Sequence, residues 1–260
     1  MAIDPPRSDS ERVRDRLSRD VYEKQMQLAA MVVHELRGSA HAIQAYASVL
    51  ASEAPGPLNT VQRDFLLSMG KAIRRLDRLV NDIQIIVAGS RGFSIDIERV
   101  DVLATVEACA AELDSSANAF GVSIRIDGTG PTLIDVDPVR VEQIILNLLE
   151  NAIKYSAAGT PIRVRVRPSR TRVLLLVENQ LERPLEGVPS HWFAPFVRGT
   201  GSSEDHPGGF GLGLAVVKML VSAHGGHVVT RARGTTVAIG MVLPVRGVVV
   251  PESDREGDPM

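Results

Sequence analysis

The chain has 260 residues, of which 44% are hydrophobic and 23% charged, and its formal net charge is −2. This composition is typical of a soluble globular protein with one large or two ordinary domains, and it gives no global field that would attract nucleic acid or an anionic membrane. No apolar run approaches the roughly 18 residues of a membrane span and no signal peptide is recognisable, so we expect a cytosolic protein without membrane insertion. The single cysteine, Cys109, lies on an apolar stripe, which indicates a buried and unreactive residue.

Two long helices are predicted for the first part of the chain. Regular apolar positions predict one helix from about residue 10 to 50, and breakers at 55–57 separate it from a second helix capped by Asn59 or Thr60. Two helices joined by a short loop cannot cover their own apolar stripes, so we expect a homodimer in which two hairpins form a four-helix bundle. The stripe of the second helix alternates spacings of four and three, as in a bundle seam: Phe65, Met69, Ala72, Leu76, Leu79, Ile83 and Ile86.

His34 is the candidate catalytic residue of the first predicted helix. Because Val32 and Leu36 belong to the seam, a residue two positions away is rotated by roughly 200° and is expected on the solvent side. Glu35 follows directly, and a carboxylate beside a neutral imidazole can take or polarise its proton while the other ring nitrogen attacks an electrophile. A lone exposed histidine is more often an ordinary surface residue, and His41, which lacks an acidic neighbour, is interpreted in that way.

A second domain is expected after the glycines of residues 88–93, which are predicted to act as a hinge. Aliphatic residues alternate with arginines over 162–167, which predicts a half-buried strand that shows its arginines to water. A nucleic-acid stripe is the alternative, but no aromatic residues interleave with the arginines. The other predicted elements of this domain are strands at Ser94–Ile97, Val122–Ile126, Val173–Val177, Val228–Arg231 and Thr236–Leu243, and a helix at Val102–Ala119.

A further helix, Val141–Tyr155, carries an apolar stripe on one face and Asn147, Asn151 and Lys154 on another. Amide oxygens are hard ligands and the lysine supplies a point charge, so this face suits a metal ion and phosphate oxygens. A merely solvated polar face is the alternative.

Three motifs together resemble those of the sensor histidine kinases. They are the string H-E-L-R at 34–37, the asparagine helix at 141–155, and the glycine-rich turn Gly209–Leu214, which opens a helix whose backbone amides can hold phosphate oxygens. The resemblance implies an α+β fold, with an N-terminal helical hairpin dimerising as a four-helix bundle, followed by an α/β sandwich ATP-binding domain. The expected domains are a leader and coiled-coil entry helix at 1–24, the phosphotransfer hairpin at 25–88, the catalytic domain at 92–246 and a disordered tail at 247–260.

The resemblance also implies the roles of individual residues. His34 would accept the phosphoryl group with Glu35 as base, and Asn147 and Asn151 would hold Mg²⁺. Phe193 and Phe196 match a phenylalanine box that hinges a nucleotide lid. The residues expected to bind ATP are Asn147, Asn151, Lys154, Tyr155, Asn179, Phe193, Phe196, Arg198, Gly209, Gly211, Leu212, Gly213 and Leu214.

The sequence departs from the family pattern at two places. Asn179 stands where the family has an aspartate, and Leu181 and Arg183 stand where it has glycines, which weakens the expected adenine site. After H-E-L-R, Gly38 and Ser39 replace the usual threonine or asparagine and the proline.

The function that the resemblance implies is autophosphorylation of a histidine from ATP, followed by transfer to an aspartate in the receiver domain of a response regulator. Residues 1–25 are too few for a sensor domain, so the input is expected from the N-terminal helix or an upstream sensory partner. A degenerate histidine phosphotransferase or docking protein without ATP turnover is the alternative. A protein-serine kinase of the same ATPase fold is disfavoured, because it would not need the histidine-bearing hairpin.

Overall fold

The computed structural model describes residues 36–38, 40–52, 56–88, 94–185, 190–197 and 211–246. The chain divides into two compact units between residues 91 and 92. Four of the expected site residues lie outside the described residues, as do the expected leader and tail: His34, Glu35, Arg198 and Gly209. Across the described residues, no helix combines the length and the apolarity needed to cross a membrane.

The first unit is a hairpin of two helices. Helix α1 includes helical residues 36–38 and 40–51, and helix α2 is Thr60–Ala88. Asn59 caps α2 as predicted, because its side chain accepts from the Gln62 N–H while its own N–H donates to the Gln62 side chain, both at 2.9 Å. Near the other end of the hairpin, Arg37 of α1 donates to Asn81 Oδ1 at 2.6 Å and to Gln84 Oε1 at 2.7 Å. The two helices are therefore antiparallel.

The predicted bundle seam is exposed over the first half of α2. Phe65 is 67% and Met69 40% exposed, whereas Ile86, the seam residue nearest the C-terminal end of α2, is buried. On α1, Tyr46 is 73% exposed. A single hairpin therefore leaves a large apolar surface uncovered.

The second unit consists of a five-stranded sheet, a separate two-stranded sheet and three helices. In the larger sheet the strand order is β2-β4-β5-β7-β6, with β2 and β4 parallel and the other pairs antiparallel, while β1 and β3 form the smaller antiparallel sheet. The elements are β1 Glu98–Asp101, α3 Val102–Ala119, β2 Ser123–Asp127, β3 Leu133–Val136, α4 Pro138–Tyr155, β4 Pro161–Pro168, β5 Arg172–Gln180, a 3₁₀ helix Ser190–Phe193, α5 Gly213–Ala223, β6 His227–Arg233 and β7 Thr236–Pro244.

The three helices cover one face of the larger sheet, and the core lies between these layers. The apolar stripe of α4 and alternate residues of β4, β5 and β7 are buried there, as the period-two and helical patterns require. On the other face Arg163 and Arg167 are exposed, and Arg165 forms an ion pair with Glu178 at 3.3 Å. The predicted half-buried strand with water-facing arginines is confirmed, and so is the fold class of a helical hairpin followed by an α/β sandwich.

One predicted strand is wrong. Residues 94–97 form no strand, and the strand is instead the more polar Glu98–Asp101, which pairs with β3. The Asp96 N–H donates to Asp137 Oδ2 at 3.1 Å, so its hydrogen-bond acceptor is a side chain and not the backbone of a neighbouring strand. Asp101 ends the strand because its carboxylate caps α3 and accepts from the Leu103 N–H at 3.1 Å.

Candidate functional site

Helix α4 is held in place at its N-terminus and along one face. Asp137 caps the helix, because its Oδ1 accepts from the Arg140 N–H at 3.0 Å, and Pro138 occupies the first turn, where a missing N–H costs nothing. The buried stripe anchors the helix to the sheet with Val141, Ile144, Ile145, Leu148, Leu149, Ala152 and Ile153. The polar positions Asn147, Asn151 and Lys154 are half-buried at the edge of this packing.

The start of α5 lies against Asn147. A Cβ atom added at Gly213, the first residue of α5, would be 3.6 Å from both Cγ and Oδ1 of Asn147. Leu212 precedes the helix and is buried, and no side chain in the described part of the chain caps the helix there. Among the described residues, the first N–H groups of α5 therefore have no intrahelical or side-chain capping partner, and with the helix dipole they suit an anion beside the Asn147 carboxamide.

Asn147 carries an unsatisfied donor. Its Nδ2 is buried and forms no hydrogen bond with any described residue. A buried amide nitrogen without a partner costs on the order of 1–3 kcal/mol, so this atom is available to bind a further group.

A second unsatisfied amide lies at the other end of α4. Asn179 is the last helix-facing residue of β5; it is only 6% exposed, and its Nδ2 has no partner among the described residues. The next carbonyl, that of Gln180, accepts from the N–H of Ala157, just beyond the end of α4, at 2.7 Å. Asn179 is therefore placed beside the C-terminus of α4.

Both ends of the site are connected by one line of side chains on α4. Asn147, Asn151 and Tyr155 are spaced by four residues and follow one another along the helix for about 12 Å. The line begins at the α5 N-terminus, beside Gly213, and ends near Asn179. The Lys154 ammonium lies 5.0 Å from the centre of the Tyr155 ring, within range of a cation–π interaction.

The phenylalanine box and the glycine turn meet through their backbones. The Phe196 N–H donates to the Gly211 carbonyl at 2.9 Å, and both residues have positive φ, 65° and 70°. A Cβ at Gly211 would lie 2.4 Å from the Val197 carbonyl oxygen, so only glycine fits. Phe196 is exposed, whereas Phe193 in the 3₁₀ helix and Leu214 on α5 are half-buried.

The structure therefore brings together Asn147 with Gly213 and Phe196 with Gly211, and it places Asn179 at the far end of α4.

One supporting residue was not predicted. His224 is 2% exposed; its Nε2 accepts from the Asp137 N–H at 3.1 Å and its Nδ1 is 2.8 Å from the Leu220 carbonyl. It connects the end of α5 to the start of α4, and the sequence offered only the weak signal of a polar residue after an apolar helix.

Two family models match the chain. Residues 24–86 match the His Kinase A (phospho-acceptor) domain, and residues 136–246 match the histidine kinase-, DNA gyrase B- and HSP90-like ATPase domain. The asparagine helix and the glycine turn both lie inside the second match.

Two curated sensor proteins are similar to most of the chain. The chain is 27% identical to the alginate biosynthesis sensor protein KinB of Pseudomonas aeruginosa over 90% of its own length, and 29% identical to the circadian input-output histidine kinase CikA of Synechococcus elongatus over 87%. It spans only 39% and 31% of those two proteins.

Solved structures show the same fold. The histidine kinase AdeS of Acinetobacter baumannii has a TM-score of 0.57 with 22% identity, over 82% of this chain and 98% of that one. Full-length ShkA, solved in complex with AMPPNP, has a TM-score of 0.62 with 24% identity, over 85% of this chain and 46% of that one.

Proposed function

Because the chain belongs to the sensor histidine kinases, we propose that it transfers the γ-phosphoryl group of ATP to His34 and then to an aspartate in the receiver domain of a response regulator. The observation that carries the proposal is the contact between Asn147 and the N-terminus of α5 at Gly213. In the described part of the chain, this contact puts a carboxamide whose Nδ2 has no partner next to backbone amides that no side chain caps. Phosphate oxygens satisfy both kinds of group.

Each residue on this face of α4 has a distinct task toward ATP. The α5 amides and Lys154 neutralise phosphate charge, and Arg198 is proposed to add a second cation there. Asn147 and Asn151 orient the phosphates from the side of α4. Asn179 and Tyr155 are at the opposite end of the line, about 12 Å away, where the purine base would lie.

The donor set also fits a Mg²⁺ ion. No group of three or more histidine, cysteine, aspartate or glutamate side chains that could hold a metal exists within the described ranges. Mg²⁺ bound with a nucleotide needs only one or two protein ligands, since phosphates and water fill the rest of its shell, and the oxygens of Asn147 and Asn151 would serve. When bound, Mg²⁺ withdraws charge from the phosphate oxygens.

The acceptor step is assigned to His34 and Glu35. One imidazole nitrogen forms the bond to the γ-phosphorus while the bond from that phosphorus to the bridging oxygen breaks, and ADP leaves. The proton on the other ring nitrogen passes to Glu35. Downstream of this pair, the Arg37 bonds to Asn81 and Gln84 fix α1 against α2, which gives the acceptor segment a rigid base.

We also propose that the protein is a homodimer and that it acts in the cytosol, where ATP is present. The apolar surface around Phe65, Met69 and Tyr46 is exposed in a single hairpin, and a second copy of the hairpin can cover it with its own matching apolar surface. An upstream sensory partner is proposed as the source of the input.

The test is labelling of the full chain with γ-labelled ATP and Mg²⁺. We expect an acid-labile, alkali-stable phosphoryl group that His34→Gln abolishes. The matched control is His41→Gln, a change of the exposed histidine seven residues later in the sequence, which should label normally. Full labelling of His34→Gln would overturn the assignment of the acceptor.

A second candidate is a histidine phosphotransferase or docking protein that has lost ATP turnover. The observation in its favour is the segment after Asn179, where Leu181 and Arg183 replace glycines. Here the Leu181 and Leu185 N–H groups donate to the carbonyls of Thr235 and Gly234, both at 2.8 Å, so the segment is tied to the β6–β7 turn. Absence of nucleotide binding, combined with normal acceptance of a phosphoryl group from a phosphorylated regulator, would favour this candidate.

A further inference from the structure

The unsatisfied amide of Asn179 has a consequence for nucleotide choice, and this inference rests on the proposed function. Asn179 is the one strongly polar side chain among the helix-facing residues of β5; Val173, Leu175 and Val177, which precede it on that face, are all buried and apolar. A carboxamide in this position must exchange hydrogen bonds with something, because its Nδ2 is buried and lacks a partner among the described residues.

The position of Asn179 relative to α4 indicates what that partner is. The phosphate end of the proposed site is fixed by Gly213 against Asn147, and the line through Asn151 and Tyr155 leads from there to the end of α4. The bond between Ala157 and Gln180 places Asn179 at this end. A nucleotide with its phosphates at α5 therefore brings its base, rather than its sugar or phosphates, toward Asn179.

A carboxamide and a carboxylate select different purines. A carboxylate only accepts hydrogen bonds, so it matches the exocyclic amine of adenine and repels the carbonyl oxygen that guanine carries at the same ring position. A carboxamide both accepts and donates. Its oxygen suits the adenine amine, and after a half-turn of the amide its nitrogen suits the guanine oxygen.

We propose that Asn179 gives this site a relaxed base choice, so that it binds 6-oxopurine triphosphates such as GTP as well as ATP. The unsatisfied Nδ2 is the donor that a 6-oxo group would satisfy. Compared with an aspartate at this position, Asn179 lacks the ionised acceptor that forms the stronger, charge-assisted bond to the adenine amine. The affinity for ATP is therefore lower than with aspartate, and the penalty against GTP is smaller.

The experiment compares ATP, GTP and ITP by displacement of a fluorescent nucleotide from the full chain, without reference to kinase activity. We expect the native ATP and GTP affinities to agree within about tenfold. In Asn179→Asp the ratio should shift toward ATP by roughly 5- to 150-fold, the effect of one mismatched buried polar group. ITP has the 6-oxo group of guanine without its 2-amino group, so it should bind the native chain as GTP does.

The matched control is Asn59→Asp, which adds the same charge at an exposed helix cap that aspartate also satisfies. Its ratio of affinities should equal the native one.

The outcomes separate this inference from the proposed function. If the ratio of ATP to GTP affinity in the native chain is already as high as in Asn179→Asp, the inference is overturned, whereas the proposed ATP site is retained. Binding of GTP but not of ITP overturns the role of Asn179, since another group then reads the 2-amino position. No binding of any nucleotide to the native chain overturns the proposed function itself.

Discussion

The N–H of Phe196 donates to the carbonyl of Gly211 at 2.9 Å, and this bond joins the second phenylalanine of the phenylalanine box to the segment that leads into α5. Phe196 adopts a φ of 65°, which is unusual for a residue with a bulky side chain. A strained backbone of this kind persists only where its surroundings hold it, and here the constraint is the close approach of Gly211 to Val197.

We predict that Gly211→Ala lowers both stability and nucleotide affinity. The new Cβ would lie 2.4 Å from the Val197 carbonyl oxygen, at a φ of 70° that already disfavours a side chain. The expected loss of unfolding free energy is about 2–4 kcal/mol, measured by urea denaturation, with at least tenfold weaker binding of ATP.

The matched control is Gly130→Ala. Gly130 has nearly the same φ, 69°, but a Cβ there meets nothing within 4 Å, so this change measures the backbone cost alone, about 1–2 kcal/mol. Equal losses in both variants would show that the contact with Val197 is unimportant.

We predict that His224→Ala destabilises the second unit by about 2–4 kcal/mol. The change creates a cavity and leaves the Asp137 N–H without its acceptor at the N-terminal cap of α4. The control is His227→Ala on the exposed edge strand β6, where a change within about 0.5 kcal/mol is expected. Thermal or urea unfolding measures both, and equal midpoints for His224→Ala and the native chain would contradict the prediction.

These residues also show how far the sequence alone could predict the structure. The bounds of α3, Val102–Ala119, followed from its apolar periodicity, and the burial of Cys109 followed from its position on that stripe. Strand β1 could not be placed in the same way, because its formation depends on pairing with β3 rather than on its own polar residues.

The candidate site was predicted in its parts but not in its arrangement. The asparagine helix and the glycine turn each had a local signal, whereas the contact of Asn147 with Gly213 is a tertiary one. His224 was missed because its two hydrogen bonds join elements that are distant in sequence. The roles assigned to His34 and Arg198 stay predictions, since both lie outside the described residues.

We predict that Cys109 is inert in the folded chain. Burial, together with the smaller effect of the Glu142 and Glu112 carboxylates, raises the pKa of its thiol to about 12. Since the thiolate is the nucleophile, alkylation at about pH 8 should be undetectable until the chain unfolds, and then a single thiol should react.

The same shift predicts the direction of a pH effect on stability. Because the folded state holds the proton more tightly, the contribution of Cys109 to stability is complete below the unfolded pKa of about 8.5 and is lost as the pH rises toward 12. Cys109→Ala should remove this part of the alkaline destabilisation in urea titrations. Rapid alkylation of the native chain would contradict the burial of the thiol.

The exposed surface of the hairpin predicts which substitution disrupts the dimer. Phe65 and Leu67 are neighbours on α2 with nearly equal exposure, 67% and 65%, yet they differ by about 200° in direction, so only Phe65 lies on the predicted seam. If two hairpins pair along this seam, Phe65→Glu places a charge in an apolar interface, at a cost of several kcal/mol to the dimer. Leu67→Glu places the same charge on the same helix, outside the seam. We therefore expect sedimentation equilibrium to give a dimer for the native chain and for Leu67→Glu, and at least a hundredfold weaker association for Phe65→Glu. Circular dichroism should show the second unit folded in all three. Loss of the dimer in Leu67→Glu alone would move the interface to the opposite face of α2, and a native monomer would contradict the pairing of hairpins.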